Sequence, residues 1–92
     1  MINSFKCVDT EALFKCNRVK RFANMERVAL RKLEQLDLAL TIEDMRSPPG
    51  NRLEALKGDR VGQWSVRIND QWRLCFRFKN GTAWDVEIVD YH

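Results

Sequence analysis

The sequence predicts an α+β fold, in which a small antiparallel β-sheet carries two N-terminal helices packed on one face. In the C-terminal third, large apolar residues occupy alternate positions, beginning with Trp64, Val66 and Ile68, and this two-residue period is typical of a strand with one buried face. From Met25 to Leu40, apolar residues recur every three or four positions, which indicates an amphipathic helix. Helices followed by a run of strands are typical of a two-layer α+β domain.

Length, charge and cysteine content narrow the class of protein. A chain of 92 residues with a formal net charge of +3 can hold one hydrophobic core, so we expect a single domain over residues 1–92. Its cysteines, Cys7, Cys16 and Cys75, form no Cys-x-x-Cys pair, and it contains one histidine, so we expect neither disulfides nor a metal site. The sequence shows no signal peptide and no apolar run of membrane-spanning length, so a cytoplasmic location is expected.

Two helices are predicted before the strands. Asp9 or Thr10 can cap the first helix, which runs to about Cys16, and Asn24 can cap the second, which runs to about Leu40. The apolar stripe of the second helix should cover the sheet, and its basic residues should face solvent. The stripe comprises Met25, Val28, Ala29, Leu33, Leu36 and Leu40, and the basic residues are Arg27, Arg31 and Lys32.

Short strands and turns flank this region. Residues 1–6 can form an edge strand in which we expect Ile2 to be buried, and Leu53 to Leu56 reads as a short strand. The turn that follows, at Gly58, should display Lys57 and Arg60 at the end of the sheet.

The last hairpin has two possible registers. A two-residue loop at Asn80-Gly81 would place Phe76 beside Asp85 on one face, and a buried carboxylate without a partner is costly. We therefore predict a three-residue loop that also includes Lys79, with Gly81 in the left-handed conformation. This register pairs Phe78 with Thr82, Phe76 with Trp84, Leu74 with Val86 and Trp72 with Ile88.

The preceding hairpin follows from the same test of parity. A loop at Asn69-Asp70-Gln71 pairs Ile68 with Trp72, Val66 with Leu74 and Trp64 with Phe76. The opposite face of the sheet then has Arg67 directly opposite Arg73, with Glu87 flanking Arg73 on its other side. Like charges facing one another weaken a sheet, so either an external anion binds here or the face is half-solvated with screened ion pairs. The remaining members of this face are Gln63, Ser65, Cys75, Arg77, Ala83, Asp85 and Val89.

Two features allow both a structural and an RNA-binding interpretation. Trp64, Phe76 and Trp84 form one row across three predicted strands, and we interpret them as core rather than as a platform for stacked bases, because this row lies on the helix-covered face. The basic run from Asn17 to Arg21 is interpreted as a solvated loop, with a contact to RNA phosphates as the alternative.

Several motifs together resemble one family. The chain contains RLEALKGDRVGQWSVRINDQWRLCF, preceded by SPPGN and followed at the end by EIVDYH, with MI-SF at its start. This combination is similar to the HigB toxins of the RelE/ParE superfamily, including GraT-like members, and the similarity spans essentially the whole chain.

The resemblance implies a function that the composition does not show. It implies a bacterial toxin of a type II toxin–antitoxin system, namely a ribosome-dependent endoribonuclease that cuts messenger RNA in the aminoacyl site without metal or other cofactor. It also implies a HigA-like helix-turn-helix antitoxin, a monomeric free toxin and a heterotetrameric complex. The family fold places two helices on one face of the sheet and the RNA site on the other.

Residue roles are likewise implied by the resemblance. The motif assigns catalytic roles to Lys57, Arg73, Asp90, Tyr91 and His92. Cleavage that uses the ribose 2′-hydroxyl needs a proton acceptor, a proton donor and cations for the phosphorane, and an imidazole such as that of His92 exchanges protons near neutral pH. We expect RNA-binding roles for Arg67, Arg60, Glu54 and Arg77. Some relatives carry histidine where this chain has Glu54, so the role of that second imidazole either passes to Glu54 or is absent.

The sequence also allows two other functions. A ParE-like toxin would act without catalysis by binding DNA gyrase, although the DYH terminus argues against it. A basic RNA-binding sheet without turnover would protect RNA through Arg73 and leave no new RNA ends.

Overall fold

The computed structural model describes residues 1–90, which form two α-helices and a four-stranded sheet. Helix α1 spans Val8–Phe14 and helix α2 spans Glu26–Leu38. Strands β1 (Glu54–Ala55), β2 (Trp64–Arg67), β3 (Trp72–Lys79) and β4 (Thr82–Asp90) pair antiparallel in the order β1-β2-β3-β4. Short 3₁₀ turns lie at Lys20–Phe22, Ile42–Met45, Pro49–Asn51 and Gly58–Arg60. The predicted α+β class, with both helices before the sheet, is confirmed.

The helices are shorter than the sequence predicts. Helix α1 begins after Cys7 rather than after Asp9 or Thr10, and the Thr10 hydroxyl instead accepts a hydrogen bond from the Ile88 amide at 3.0 Å. Cys16 has a positive φ of 65°, a left-handed conformation that cannot continue a helix. Helix α2 begins after Met25 instead of Asn24 and ends at Leu38.

One hydrophobic core lies between the helices and one face of the sheet. Leu33 and Leu36 of α2 are fully buried against Leu74 and Phe76 of β3 and Val86 of β4. Two predictions for α2 are wrong: Leu40 lies beyond the helix and is exposed, and Lys32 is buried instead of facing solvent. The Lys32 ammonium donates to the side-chain oxygen of the fully buried Asn51.

The β2–β3 hairpin has the predicted register. Trp64 pairs with Phe76, Val66 with Leu74 and Arg67 with Arg73. The Asn69 side chain accepts hydrogen bonds from the Gln71 and Trp72 amides, both at 2.8 Å, and thereby closes the predicted loop.

The predicted register of the β3–β4 hairpin is wrong. Lys79 pairs with Thr82, so the loop is the two-residue Asn80-Gly81 turn, in which both residues have positive φ, as type I′ hairpins require. A β-bulge between the Arg77–Trp84 and Cys75–Glu87 pairs then places two residues of β4 opposite Phe76. The bulge resolves the burial problem that the two-residue loop presented, because Val86 faces the core and Asp85 does not.

The N-terminal residues lie along the free edge of β4. Ile2 and Phe5 form isolated parallel bridges with Ala83 and Val86, and Ile2 is half-buried. Residues 1–6 therefore lie at the sheet edge, but through isolated bridges instead of the predicted strand. Across residues 1–90, no helix is both long and apolar enough to cross a membrane.

Candidate active site on the open face of the sheet

The sheet face that points away from α1 and α2, here called the open face, carries a row that crosses all four strands. Glu54 of β1 pairs with Ser65 of β2, Ser65 with Cys75 of β3, and Cys75 with Glu87 of β4. Ser65 and Cys75 are completely buried, so they form a floor beneath the longer charged side chains. Burial raises the pKa of the Cys75 thiol, which keeps it protonated and unsuited to act as a nucleophile.

Arg73 lies over this floor and is held at several points. Its Nε donates to the Ser65 hydroxyl at 3.0 Å, and one terminal nitrogen donates to the Arg52 carbonyl at 3.1 Å. The same nitrogen lies 3.2 Å from a Glu54 carboxylate oxygen, and 13% of the Arg73 side chain is exposed. The planar guanidinium, fixed in this way, is pre-oriented to contact two oxygens of an anion such as a phosphate.

Backbone geometry brings the Arg52 carbonyl to Arg73. Arg52 follows the Pro49–Asn51 turn in a left-handed conformation with φ 46° and ψ 55°, which residues other than glycine adopt infrequently. The buried Asn51 amide anchors this turn by donating to the Met45 carbonyl at 2.9 Å and to the Ser47 carbonyl at 3.2 Å. The loop between α2 and β1 therefore supplies part of the Arg73 site.

A second cation lies at the opposite side of the floor. Arg60 donates to the Gln63 side chain at 3.1 Å and to a Glu87 carboxylate oxygen at 2.9 Å. Lys6 lies 4.0 Å from the same Glu87 oxygen. Glu87 thus binds Arg60, and Val89 rather than Glu87 is the cross-strand neighbour of Arg73, so the predicted position of Glu87 beside Arg73 is wrong.

The other predicted RNA-binding residues lie nearby on the same face. Arg67 is directly opposite Arg73, as predicted, but its guanidinium pairs with Asp70 in the adjacent loop. Arg77 lies two positions beyond Cys75, and its Nε is 3.5 Å from an Asp85 carboxylate oxygen. Glu54 is itself exposed at the edge strand.

The predicted catalytic residues are only partly covered by residues 1–90. Lys57 is exposed and immediately precedes the Gly58–Arg60 turn, as the sequence indicates. Asp90 ends β4 opposite Trp72, and its carboxylate accepts a hydrogen bond from the Gln71 side chain at 3.1 Å. Tyr91 and His92 lie outside the described residues.

Sequence reasoning did not assign three of the contacts in this site. Ser65 and Glu87 were placed on the correct face by parity, yet parity carries no information about which cation each one binds. The Arg52 carbonyl has no side-chain signature at all, because its position depends on the backbone conformation. Among residues 1–90, no group of three or more histidine, cysteine, aspartate or glutamate side chains is arranged to hold a metal ion.

Comparison with known proteins identifies the family. The profile of a family described as the RelE-like toxin of type II toxin-antitoxin system HigB matches residues 6–92. The chain belongs to this family. It is therefore a HigB-like toxin of a type II toxin–antitoxin system, so its partner is an antitoxin.

Individual relatives agree with this assignment. The toxin is 34% identical to Endoribonuclease HigB of Proteus vulgaris over 94 residues, which cover the full length of both chains. It is 46% identical over 61 residues to Toxin HigB-1 of Vibrio cholerae, which covers 66% of this chain and 64% of the relative's own length. These matches favour the HigB interpretation over a ParE-like one.

Solved structures share the fold. YafQ of Escherichia coli superposes with a TM-score of 0.66 at 15% identity and covers 98% of this chain and 91% of its own. The YoeB–YefM toxin–antitoxin heterotetramer of Staphylococcus aureus gives a TM-score of 0.61 at 19% identity and covers 100% of this chain and 98% of the matched chain. The RelE-like description of the family and these shared folds together confirm the predicted RelE-like fold.

Proposed function

We propose that this HigB-like endoribonuclease cuts messenger RNA in the aminoacyl site of the ribosome, as a single domain that acts in the cytoplasm without a metal ion. The observation that carries the proposal is the Arg73 guanidinium, which Ser65, the Arg52 carbonyl and Glu54 hold over the open face. In the reaction, the ribose 2′-oxygen forms a bond to the adjacent phosphorus and the bond from phosphorus to the 5′-oxygen breaks. The 2′-hydroxyl loses a proton and the departing 5′-oxygen gains one.

Arg73 and Lys57 are the proposed cations at the scissile phosphate. The phosphorane carries more negative charge than the ground state, so fixed cations stabilise it selectively. Arg73 is already oriented by its contacts, and a phosphate would compete with Glu54 for the same guanidinium nitrogen. Lys57 is exposed at the end of the sheet, where its flexible ammonium can reach an incoming strand.

His92 is the proposed proton-transfer group, because an imidazole can both donate and accept near neutral pH. Glu54 offers a carboxylate 3.2 Å from the Arg73 guanidinium and is the alternative proton acceptor; in the other alternative it has no catalytic role. Tyr91 is proposed to stack on a base or orient the ribose, and Asp90 to fix the geometry of the last residues. The Gln71 side chain already orients the Asp90 carboxylate through a hydrogen bond.

Arg60, Arg67 and Arg77 are proposed to bind phosphates of the flanking RNA. Each lies on or beside the open face and already has a carboxylate partner, and a polyanion can replace such partners at moderate salt. Binding should accordingly weaken as the salt concentration rises.

The proposed partner is a HigA-like helix-turn-helix antitoxin, in a heterotetrameric complex with a toxin that is monomeric when free. The heterotetramer of the fold relative YoeB–YefM supports this stoichiometry. We further propose that the antitoxin binds away from the open face.

Deletion of His92 tests the catalytic assignment. We expect the deletion variant to lose growth inhibition and ribosome-dependent cleavage while its thermal unfolding and circular dichroism match those of the parent. The position of RNA 5′ ends after induction separates the proposal from the ParE-like alternative, which would leave messenger RNA uncut and induce the DNA-damage response. A deletion variant as toxic as the parent would show that His92 is not the proton-transfer group.

A further inference from the structure

The bulge in β4 determines which way Trp84 faces. Between the hairpin turn and the bulge, Ala83 is buried and Trp84 is exposed; beyond the bulge, Val86 and Ile88 are buried. Trp84 pairs directly with Arg77, so its indole lies on the open face with Arg73 and Cys75. The sequence-based assignment of Trp84 to the core, in one row with Trp64 and Phe76, is therefore wrong.

The conformation of the bulge is supported by specific contacts. Asp85 has a positive φ of 51°, and its amide donates to the Ser4 hydroxyl at 2.8 Å. Its carboxylate pairs with Arg77 at 3.5 Å. Bulges of this kind re-aim a side chain and are frequent beside active sites.

The Trp84 ring is available on this face. Its exposed fraction is 42%, whereas most of the surface of a tryptophan is usually buried. Within residues 1–90, the aromatic pairs and cation–π contacts involve Phe5, Phe14, Phe22, Trp72 and Arg21. No other aromatic ring or cation in this part of the chain therefore stacks on Trp84. Exposing this ring in water forgoes its hydrophobic stabilisation, which a ligand that covers it would restore.

Arg77 is the cross-strand neighbour of Trp84, and its guanidinium lies against the backbone of the turn at Gly62. A Cβ atom built on Gly62 would lie 2.8 Å from a terminal nitrogen of Arg77, and Gly62 has a φ of 92°. A glycine therefore permits both the turn and the close approach of Arg77. An aromatic face next to a cation is the combination that binds single-stranded nucleic acid, because the ring stacks on a base and the cation meets a phosphate.

Trp84 and Arg77 lie close enough to Arg73 to contact the same RNA strand. Arg77 follows Arg73 by four positions along β3, which at the rise of an extended strand is about 13 Å. A few nucleotides of single-stranded RNA can span that separation. Arg60 and Glu87 lie between Arg73 and Arg77 on this face.

We propose that Trp84 and Arg77 form a second nucleotide subsite, in which Trp84 stacks on a base that flanks the scissile phosphate and Arg77 binds the adjoining backbone. This inference rests on the proposed function and adds a determinant of substrate affinity to it. The surroundings favour RNA over an apolar antitoxin segment, because the neighbours of Trp84 on this face are the charged residues Arg77 and Asp85.

Single-turnover cleavage of messenger RNA on programmed ribosomes tests the subsite. Trp84→Ala should raise the half-saturating toxin concentration about tenfold, in line with the loss of one stacked base, and leave the rate at saturation within about twofold of the parent because the reacting groups are intact. Trp84→Phe should recover most of the affinity, and Trp84→Leu should not, because leucine is apolar but cannot stack. Leu38→Ala, which truncates an exposed apolar residue on the helix side, is the matched control and should cleave like the parent.

Direct observation of the ring separates this inference from the proposed function. In 5-fluorotryptophan-labelled, His92-deleted toxin, the Trp84 resonance, identified with Trp84→Phe, should shift when single-stranded RNA is added, whereas that of buried Trp72 should not. Parent toxin that fails to cleave at all would overturn the proposed function. Three results would overturn the subsite while leaving the proposed function intact. The parent toxin could cleave RNA although its Trp84 resonance does not shift. Alternatively, Trp84→Leu could bind and cleave as the parent does, or Trp84→Ala could lose affinity for the antitoxin alone.

Discussion

At the scale of single residues, Arg73 shows how an ordinary surface arginine becomes a fixed cation. Its guanidinium contacts Ser65, the Arg52 carbonyl and Glu54 from two of its nitrogens, and lysine has no planar fork with which to reproduce those contacts together. Arg73→Lys therefore keeps the charge and loses the orientation. We expect single-turnover cleavage on programmed ribosomes to fall by at least about tenfold, since a hydrogen bond to a charged group contributes about 1.5 to 3 kcal/mol.

Arg67→Lys is the control for this prediction. Arg67 is the cross-strand neighbour of Arg73, but its ion-pair partner is the highly exposed Asp70, and an exposed ion pair stabilises little. Lysine keeps the positive charge with which Arg67 is proposed to bind a flanking phosphate, so Arg67→Lys should cleave within about twofold of the parent. An Arg73→Lys variant that cleaves like the parent would mean that charge alone matters and that the anchoring of Arg73 has no catalytic consequence. Equal losses in the two lysine variants would mean that the loss does not come from the contacts that anchor Arg73.

Residue pairings across β2 and β3 could be predicted from the sequence, whereas the partners of Arg73 could not. Alternation of side chains places Arg67 opposite Arg73 once the loop at 69–71 is fixed. The Arg52 carbonyl reaches Arg73 only because Arg52 adopts a left-handed conformation, and nothing in its side chain indicates that. Pairings that follow from the alternation of side chains along β2 and β3 can therefore be predicted from this sequence. Contacts that depend on an unusual backbone conformation, such as that of Arg52, cannot.

At the scale of elements, strand β4 was predicted as a strand but in the wrong register. On an uninterrupted ladder of strand pairs, the two-residue loop would bury the Asp85 carboxylate, which is why the sequence favours the longer loop. The bulge restores the apolar parity at Val86 and turns Asp85 out of the core. Its stabilisation depends on Ser4, a residue eighty-one positions away in the chain, which no local pattern reveals.

The contact between Lys32 of α2 and Asn51 joins the helix layer to the loop that precedes β1. Asn51 is fully buried, and its side-chain amide also donates to the Met45 and Ser47 carbonyls. Removing the Lys32 or the Asn51 side chain therefore leaves a polar group in the core without its hydrogen-bond partner. In a double-mutant cycle of Lys32→Met and Asn51→Ala, measured by urea unfolding, we expect a coupling free energy of about 1 to 3 kcal/mol. A cycle of Asn51→Ala with Lys20→Met, an exposed lysine, should be additive.

The same pair gives a stability that depends on pH. Burial lowers the pKa of Lys32, and the nearby charge of Arg31 lowers it further. The folded protein consequently binds this proton less tightly than the unfolded chain does, so the contribution of Lys32 to stability increases as the pH rises through the lowered pKa toward the ordinary lysine value. Lys32→Met should lack that alkaline increase, and an additive cycle with an unchanged pH profile would refute the coupling.

At the scale of the whole molecule, the two faces of the sheet are used differently. The helices bury one face in the core, and the other collects Arg73, Arg60, Glu54 and Glu87 around a buried floor. The alternation of the strands and the stripe of α2 predicted this division, because each is a direct consequence of burial. The toxin function could not be predicted from that pattern and followed only from the combination of motifs.

The N-terminal segment holds the layers of the molecule together, and its removal from the β4 edge should affect the whole fold. The Ile2 amide donates to the Asp37 carboxylate of α2 at 2.9 Å, and the Asn3 amide donates to the Ala83 carbonyl of β4 at 2.8 Å. Asn3→Pro removes the Asn3 amide and so leaves the Ala83 carbonyl without that donor. It also exposes the edge of β4, and an unpaired strand edge is a site for association with another chain. We expect the free energy of unfolding in urea to fall by about 1 to 3 kcal/mol, with concentration-dependent association in sedimentation. Asn3→Ala keeps the amide and should stay within about 0.5 kcal/mol of the parent, so equal stability of the proline and alanine variants would show that the segment only rests on the sheet.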